Sequence, residues 1–255
     1  MVDIHSHILP GVDDGSKSMD ETLKMLKLAE LDGVKTIVAT PHFYRGYYEN
    51  SYEDIMKLGQ QVRSAAKKAN IAVNIVLGQE VFLDKYILKD YKLGKVGCIE
   101  GTDYILVEFP MTVLLKDALD IIYELQVMGI RPILAHPERY KYIIDKPSKI
   151  NEFLDERCLL QINTGSIKGI FGKKVKSTAE ILISSGVCSF IASDAHSTTG
   201  RSPGISEALK IAAEFKSGIF EMLQSNCERL LKNQFIEFVS ERIKERKSIF
   251  KFLKK

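Results

Sequence analysis

Short runs of aliphatic and β-branched residues alternate along this chain with amphipathic stretches whose apolar positions recur at helical spacing. The runs predict strands at Val2–His7, Lys35–Thr40, Ala72–Gly78, Tyr104–Glu108, Arg131–His136, Leu159–Asn163 and Ser189–Ser193. Between them the longer stretches predict helices at Asp20–Leu31, Ser51–Lys68, Lys116–Met128, Lys149–Arg157 and Lys174–Ser185. Mostly apolar strands separated by helices indicate a parallel sheet buried on both faces. At 255 residues such a sheet is expected to close into a barrel, with a doubly wound open sheet as the alternative. Beyond Ser193 only helices are predicted. No repeat, linker or composition break divides the chain, so one domain is expected over residues 1–239, followed by a basic, aromatic-containing tail over 240–255.

Charge refines this picture. The tail carries seven Lys or Arg against two Glu, and removing its excess from the overall +3 leaves the body mildly acidic, at −2. A nucleic-acid binder is therefore not expected. The tail also holds Phe250, Phe252 and Leu253. It is read as a packed or frayed helix end rather than as a peripheral membrane or partner contact. The first residues show neither a basic start nor an apolar stretch, and no apolar run reaches the ~18 residues of a membrane span. A cytoplasmic protein is expected.

Cysteine excludes one enzyme class. Cys98, Cys158, Cys188 and Cys227 lack CxxC spacing, and none has Arg six positions on, so a Cys-x5-Arg phosphate loop is absent.

Histidine carries most of the functional argument. The chain has five, and each lies at the carboxyl end of a predicted strand, the face on which barrel enzymes build their sites. His5 and His7 close the first strand, His42 follows the second, His136 ends the fifth and His196 follows the seventh. Glu80, Glu108 and Asp194 occupy comparable places. Alternate strand residues point the same way, so His5 and His7 are expected to aim at one ion, and Asp194 and His196 to converge if the strand persists that far. Imidazole with carboxylate suits Mn, Fe, Co or Zn, and so many donors exceed one coordination sphere. A cluster of two or three divalent ions is expected, suited to activating water and neutralising a phosphoryl transition state. An isolated His-x-His, or an Asp after a strand, is more often a turn or helix cap. Five strand ends at once are harder to assign to capping.

With these residues in view, the chain resembles the polymerase-and-histidinol-phosphatase (PHP) superfamily, and within it the bacterial manganese-dependent tyrosine-protein phosphatases of capsular and exopolysaccharide operons. The segments that carry the resemblance are Asp3–Gly15, Ala39-Thr-Pro-His42, Gly78-Gln-Glu80, Val107-Glu-Phe-Pro110, Ala135-His-Pro-Glu-Arg-Tyr140, Gln161-Ile-Asn-Thr-Gly-Ser166, Gly169-Ile-Phe-Gly172 and Ala192-Ser-Asp-Ala-His196. They follow the family's order from Val2 to about Asn233.

The resemblance implies a distorted (β/α)7 TIM-like barrel with three divalent ions, Mn foremost, at the carboxyl ends of the strands. By position, His5, His7, Glu80 and Asp194 serve one ion. Glu80, Glu108 and His136 serve a second, with Glu80 bridging, and His42, His196 and Asp14 serve the third. The neighbouring Asp13 is left to the turn. Arg139 and Arg201 are implied as catalytic and substrate-binding clamps, since guanidinium matches phosphate oxygens in a planar fork. The implied activity is hydrolysis of phosphotyrosine by a metal-activated hydroxide, without a cysteine nucleophile. The implied substrate is the tail of a bacterial tyrosine kinase. Tyr44, Tyr47 and Tyr48 either line an open site or merely cover the barrel mouth. Histidinol phosphate is the alternative substrate, a phosphodiester a weaker one, and a catalytically silent binding module the reading from another class.

Overall fold

The computed structural model describes residues 1–238 and 241–244. Strand β1 (Val2–Ser6) leads through α1 (Met19–Leu31) to β2 (Thr36–Ala39), and the Ser18 side chain accepts from the Glu21 N–H to start that helix. Pro41 has no N–H to give to a ladder, so the stave breaks there and resumes as β3 (His42–Phe43). Helix α2 (Tyr52–Lys68), capped by Ser51, precedes β4 (Asn74–Leu77). This stave too is interrupted, at Gly78-Gln79, and resumes as β5 (Glu80–Phe82). A short α3 (Ile87–Lys92), β6 (Tyr104–Glu108), α4 (Ala118–Val127) and β7 (Arg131–Ala135) follow. Then come α5 (Lys141–Asp145), α6 (Ile150–Asp155), β8 (Leu159–Asn163), α7 (Thr164–Lys168), α8 (Lys173–Ser184), β9 (Phe190–Ala192), α9 (Ser206–Phe215) and α10 (Ile219–Leu231).

All strand pairs are parallel. Hydrogen bonding runs β1-β2-β4 in one sheet and β3-β5-β6-β7-β8-β9 in the other. Because β2/β3 and β4/β5 are halves of two broken staves, the nine segments make seven staves. The ring closes between β9 and β1, where the His7 N–H donates to the Ala195 carbonyl at 2.8 Å and the Asp194 N–H to that of His5 at 2.9 Å. The distorted seven-stave barrel is present and the open sheet is not.

Two apolar layers hold it. Alternate residues of β6 to β8 point inward, with Tyr104, Leu106, Ile133, Ala135 and Leu159 forming an inner cluster with Val38, Phe190 and Ala192. Leu230 and Ile236 close its lower end. The intervening Ile105, Val107, Leu134, Leu160 and Ile162 pack outward against the helices. The predicted long helices are present to within a residue or three at each end. The short β3, β5, α3, α5 and α7 have no counterpart among the predicted elements, because segments of two to six residues carry too little periodicity to register. Residues 241–244 are not helical. The Ile243 side chain is buried and its backbone exchanges hydrogen bonds with the Asn151 side chain, 2.9 and 3.0 Å. Phe250, Phe252 and Leu253 lie outside the described residues.

Candidate metal centre

The stave ends converge on one face, and local backbone explains how. His5 and His7, two apart at the end of β1, bring their Nε2 atoms within 3.1 Å of each other. His136 and Asp194 both adopt left-handed backbone, φ 34° and 52°, which non-glycine residues seldom do. At His136 this ends β7 ahead of Pro137 and turns the imidazole inward; at Asp194 it ends the extended run of β9. Strand geometry does not persist as far as His196, and although the His196 Nδ1 lies 3.5 Å from Asp194 Oδ1 the two residues fall into different groups. Asp194 joins His5, His7 and Glu80, while His196 joins His7, Asp14 and His42.

Glu80 lies at the middle. Its Oε2 is 3.2 Å from both His5 Nε2 and His7 Nε2 and 3.1 Å from His42 Nδ1, and its Oε1 is 2.9 Å from His136 Nε2. Glu108 lies 3.6 Å from His136 and 3.9 Å from His42. His42 is thus shared, its Nδ1 toward Glu80 and Glu108 and its Nε2 3.5 Å from Asp14. Asp14, half-exposed, is also 3.3 Å from His196 Nε2. Asp13 is turned the other way and accepts from His7 Nδ1 at 2.7 Å and from the backbone N–H groups of Gly15 and His42. The two adjacent aspartates are thereby separated, Asp14 toward the cluster and Asp13 behind His7. Arg139 and Arg201 grip Asp194 from opposite sides, Arg139 Nη1 at 3.1 Å from Oδ2 and Arg201 Nη2 at 2.5 Å from Oδ1. The Arg139 guanidinium lies 4.7 Å over the Phe171 ring.

Do these residues fit a metal ion? The Nδ1 atoms of His5 and His7 are committed to the side-chain Oε1 of Gln161 and to Asp13, so each imidazole presents Nε2 inward. There both nitrogens meet Glu80 Oε2, a buried oxygen with no hydrogen bond of its own, and Asp194 Oδ1, which Arg201 also faces. Burial disfavours charge on His7, yet the Asp13 carboxylate beside it raises the imidazole well above its ordinary value. Burial likewise opposes ionisation of Asp194, but His5, His7 and Arg201 hold it well below the usual carboxylate range. Burial and the neighbouring Glu80 push Glu108 up, and burial brings His136 down to about 4. The cluster therefore demands positive charge at its centre, and divalent ions can replace the protons that partly meet that demand. The residues fit.

The Glu138 carboxyl has a separate consequence for pH. It is buried, accepts from the Asn163 N–H at 3.0 Å and the Ser166 hydroxyl at 2.5 Å, and burial raises it to about 7. The folded protein thus holds this proton more tightly than the unfolded chain does. That contribution is whole below the ordinary carboxylate range and is lost as pH rises through about 7. Glu138→Gln keeps the acceptor and has no proton to lose. Its melting temperature is expected to gain on the wild type between about pH 5 and about pH 8, an effect on the order of 3 kcal/mol at most. A difference that does not change with pH would contradict this account.

Comparison with known proteins agrees with the geometry. Residues 1–232 match the family model described as capsular polysaccharide synthesis, CpsB/CapC. The chain belongs to the CpsB/CapC family. It is 35% identical to the tyrosine-protein phosphatase YwqE of Bacillus subtilis over 92% of this chain and 93% of that one. To the putative tyrosine-protein phosphatase CapC of Staphylococcus aureus it is 35% identical over 95% and 93%. A solved structure from the pair described as YwqE of Bacillus subtilis and CpsB of Streptococcus pneumoniae, unique metal-dependent tyrosine phosphatases, superposes with a TM-score of 0.92. It is 34% identical and covers 96% of this chain and 100% of the other. The family thus has the barrel described above.

Gln161, Asn163 and Glu138 were visible in the sequence only within longer motifs. Glu138, a candidate partner for Arg139, instead accepts from Asn163 and Ser166 while Arg139 pairs with Asp194. All three surround the cluster without joining it. Their signal was present, since Gln161 and Asn163 are polar residues at alternate positions of an otherwise apolar strand.

Proposed function

We propose that this protein is a metal-dependent protein-tyrosine phosphatase, acting on phosphotyrosine in the tail of a bacterial tyrosine kinase that controls capsule or exopolysaccharide synthesis. The observation that carries the reading is the convergence of imidazole and carboxylate atoms on one rim beside two arginines, in a chain of the CpsB/CapC family. His5, His7, Glu80 and Asp194 would hold one ion. Glu80, Glu108 and His136 would hold the second, where His42 also converges on the two carboxylates, and Asp14, His42 and His196, with His7 beside them, would hold the third. Three ions, Mn foremost, suit this donor set. When bound, such ions lower the pKa of water and neutralise charge on a transferring phosphoryl group.

The chain's own groups do the rest. Arg139 and Arg201, moored on Asp194, offer N–H donors to phosphate oxygens as charge builds there. Hydrolysis forms a bond from the water oxygen to phosphorus, breaks the bond from phosphorus to the tyrosyl oxygen, and returns a proton to that oxygen. Phenolate, with a pKa of about 10, leaves without strong acid help. Aromatic residues border the rim on the β3 side. Tyr48 stacks 5.8 Å from His42, and Tyr44 stacks on Phe82 at 4.0 Å and on the exposed Tyr47 at 4.4 Å. This wall supports an aryl substrate over an alkyl one.

Turnover of a phosphotyrosine peptide against histidinol phosphate by Mn²⁺-loaded protein tests the assignment. A preference for the peptide of about 100-fold or more is expected, given that misfit at a polar site costs several kcal/mol. Equal or inverted preference would return the substrate to the histidinol-phosphate reading.

None of the described helices is long and apolar enough to cross a membrane. A cytoplasmic location accords with a substrate of this kind. The division into a domain over 1–239 and a tail over 240–255 also remains a proposal, adjusted by the burial of Ile243. Removing residues 245–255 is expected to leave turnover of a small aryl phosphate unchanged, and an inactive truncated protein would refute the division.

A further inference from the structure

Six of the seven staves end in at least one imidazole or carboxylate of the cluster. β8 does not: beyond Leu159 its inward positions are Gln161 and Asn163, both buried. These two amides form one directional chain. The His5 Nδ1–H donates to Gln161 Oε1 at 2.8 Å, Gln161 Nε2 donates to Asn163 Oδ1 at 2.9 Å, and Asn163 Nδ2 donates to Asp194 Oδ2 at 2.5 Å. The chain begins on one member of the innermost four-residue group and ends on another. The Asn163 N–H is also held, by Glu138 in the turn that carries Arg139.

The bland account of Asn163 does not hold. It occupies the N-cap of α7, where an asparagine ordinarily accepts from the first turn, yet its side chain makes no capping bond. The residue forgoes a cap in order to reach Asp194. Gln161 is likewise spent wholly inside the barrel, at a position where an aliphatic side chain would continue the inner apolar layer.

We infer that Gln161 and Asn163 are positioning residues that hold His5 and Asp194 in the orientation an ion between them requires. This rests on the metal reading above. Gln161 fixes the tautomer of His5, keeping its proton on Nδ1 and leaving Nε2 to face inward. Asn163 from within the barrel and Arg139 from the rim occupy Asp194 Oδ2, so that Oδ1, which Arg201 also faces, is the oxygen turned toward His5 and His7. Linking the two amides couples the orientation of β1 to that of β9 across a stave that supplies no ligand. Partners that orient metal-binding side chains in this way typically contribute 10- to 100-fold in affinity.

The test is Mn²⁺ binding by chelator-stripped protein, followed by calorimetry and by the electron paramagnetic resonance of free Mn²⁺, with the metal-free melting temperature recorded alongside. Gln161→Leu removes the acceptor from His5, and Asn163→Ser keeps a competent N-cap but cannot reach Asp194. Each is expected to weaken one class of Mn²⁺ site by about 10- to 100-fold while leaving the others occupied. Gln161→Glu, which preserves an acceptor for the His5 Nδ1–H, is expected to bind more tightly than Gln161→Leu. Wild-type Mn²⁺ affinity in Gln161→Leu and Asn163→Ser would overturn the inference, whatever their melting temperatures. Should Gln161→Leu fail to fold, Asn163→Ser decides alone. Wild-type protein that takes up no Mn²⁺ would overturn the metal reading itself, an outcome distinct from equal binding by wild type and variants.

Discussion

Glu80→Gln is expected to lower turnover of a phosphotyrosine peptide by about 10³-fold, and added Mn²⁺ is not expected to restore it. The reason lies in how many groups this one carboxylate serves. Its two oxygens lie within 3.2 Å of nitrogens from His5, His7, His42 and His136, which belong to three different staves. Burial opposes its ionisation, and His5, His42 and His136 together hold it well below the ordinary carboxylate range. An amide of the same shape brings no charge and turns an NH₂ toward one side, so both proposed ion positions that share Glu80 weaken together.

The companion measurement is chelation. Stripping divalent metal from the wild type is expected to abolish activity, and Mn²⁺ to restore it. His136→Ala, which leaves Glu80 Oε1 without its imidazole, is expected to stay inactive after refilling. Chelated wild-type protein that still turns over the peptide would remove the basis for a metal mechanism. Glu80→Gln within about tenfold of wild type would instead spare the metal and refute the bridging role.

These expectations depend on side chains whose placement was unequally legible in the sequence. The staves were legible because a strand buried on both faces is written as an apolar run, and Tyr104–Glu108 and Leu159–Asn163 match the observed β6 and β8 at both ends. The rim was legible because histidine is scarce here and appears only after such runs. What could not be read was the backbone that aims those side chains. Nothing in the sequence fixes the left-handed conformation of His136 or Asp194, and a strand extended to Asp194 would have joined it with His196 in one group. Nor could composition separate Asp13 from Asp14. That separation depends on Asp13 accepting the His42 N–H from the neighbouring stave, a contact 29 residues away in sequence. The resemblance placed Asp14 with His42 and His196, and the geometry brings the same three together with His7. Gln161 and Asn163 were visible only as part of a motif, because neutral amides give no signal of chemistry until their partners are known.

The second large effect concerns the arginines. Arg139→Ala and Arg201→Ala are each expected to cost about 10²- to 10³-fold in kcat/KM, the usual loss when one donor to a developing oxyanion is removed. Both guanidinium groups are partly exposed, 21% for Arg139 and 27% for Arg201, while the Asp194 they share is buried. Each therefore has one edge moored and another open to the rim. The arrangement admits two roles: compensating the charge of Asp194, or receiving a phosphate. These predict different things. If the arginines only compensate Asp194, their loss should change Mn²⁺ affinity and stability and leave inhibition by inorganic phosphate as it was. If they receive phosphate, competitive inhibition of the Mn²⁺-loaded protein should weaken in parallel with kcat/KM. The parallel loss is expected. Arg139→Lys is expected to recover little, because an ammonium cannot keep one edge on Asp194, lie over Phe171 and still present a fork of donors. A lysine variant with near-wild-type turnover would show that charge at this place suffices and that the fork is dispensable.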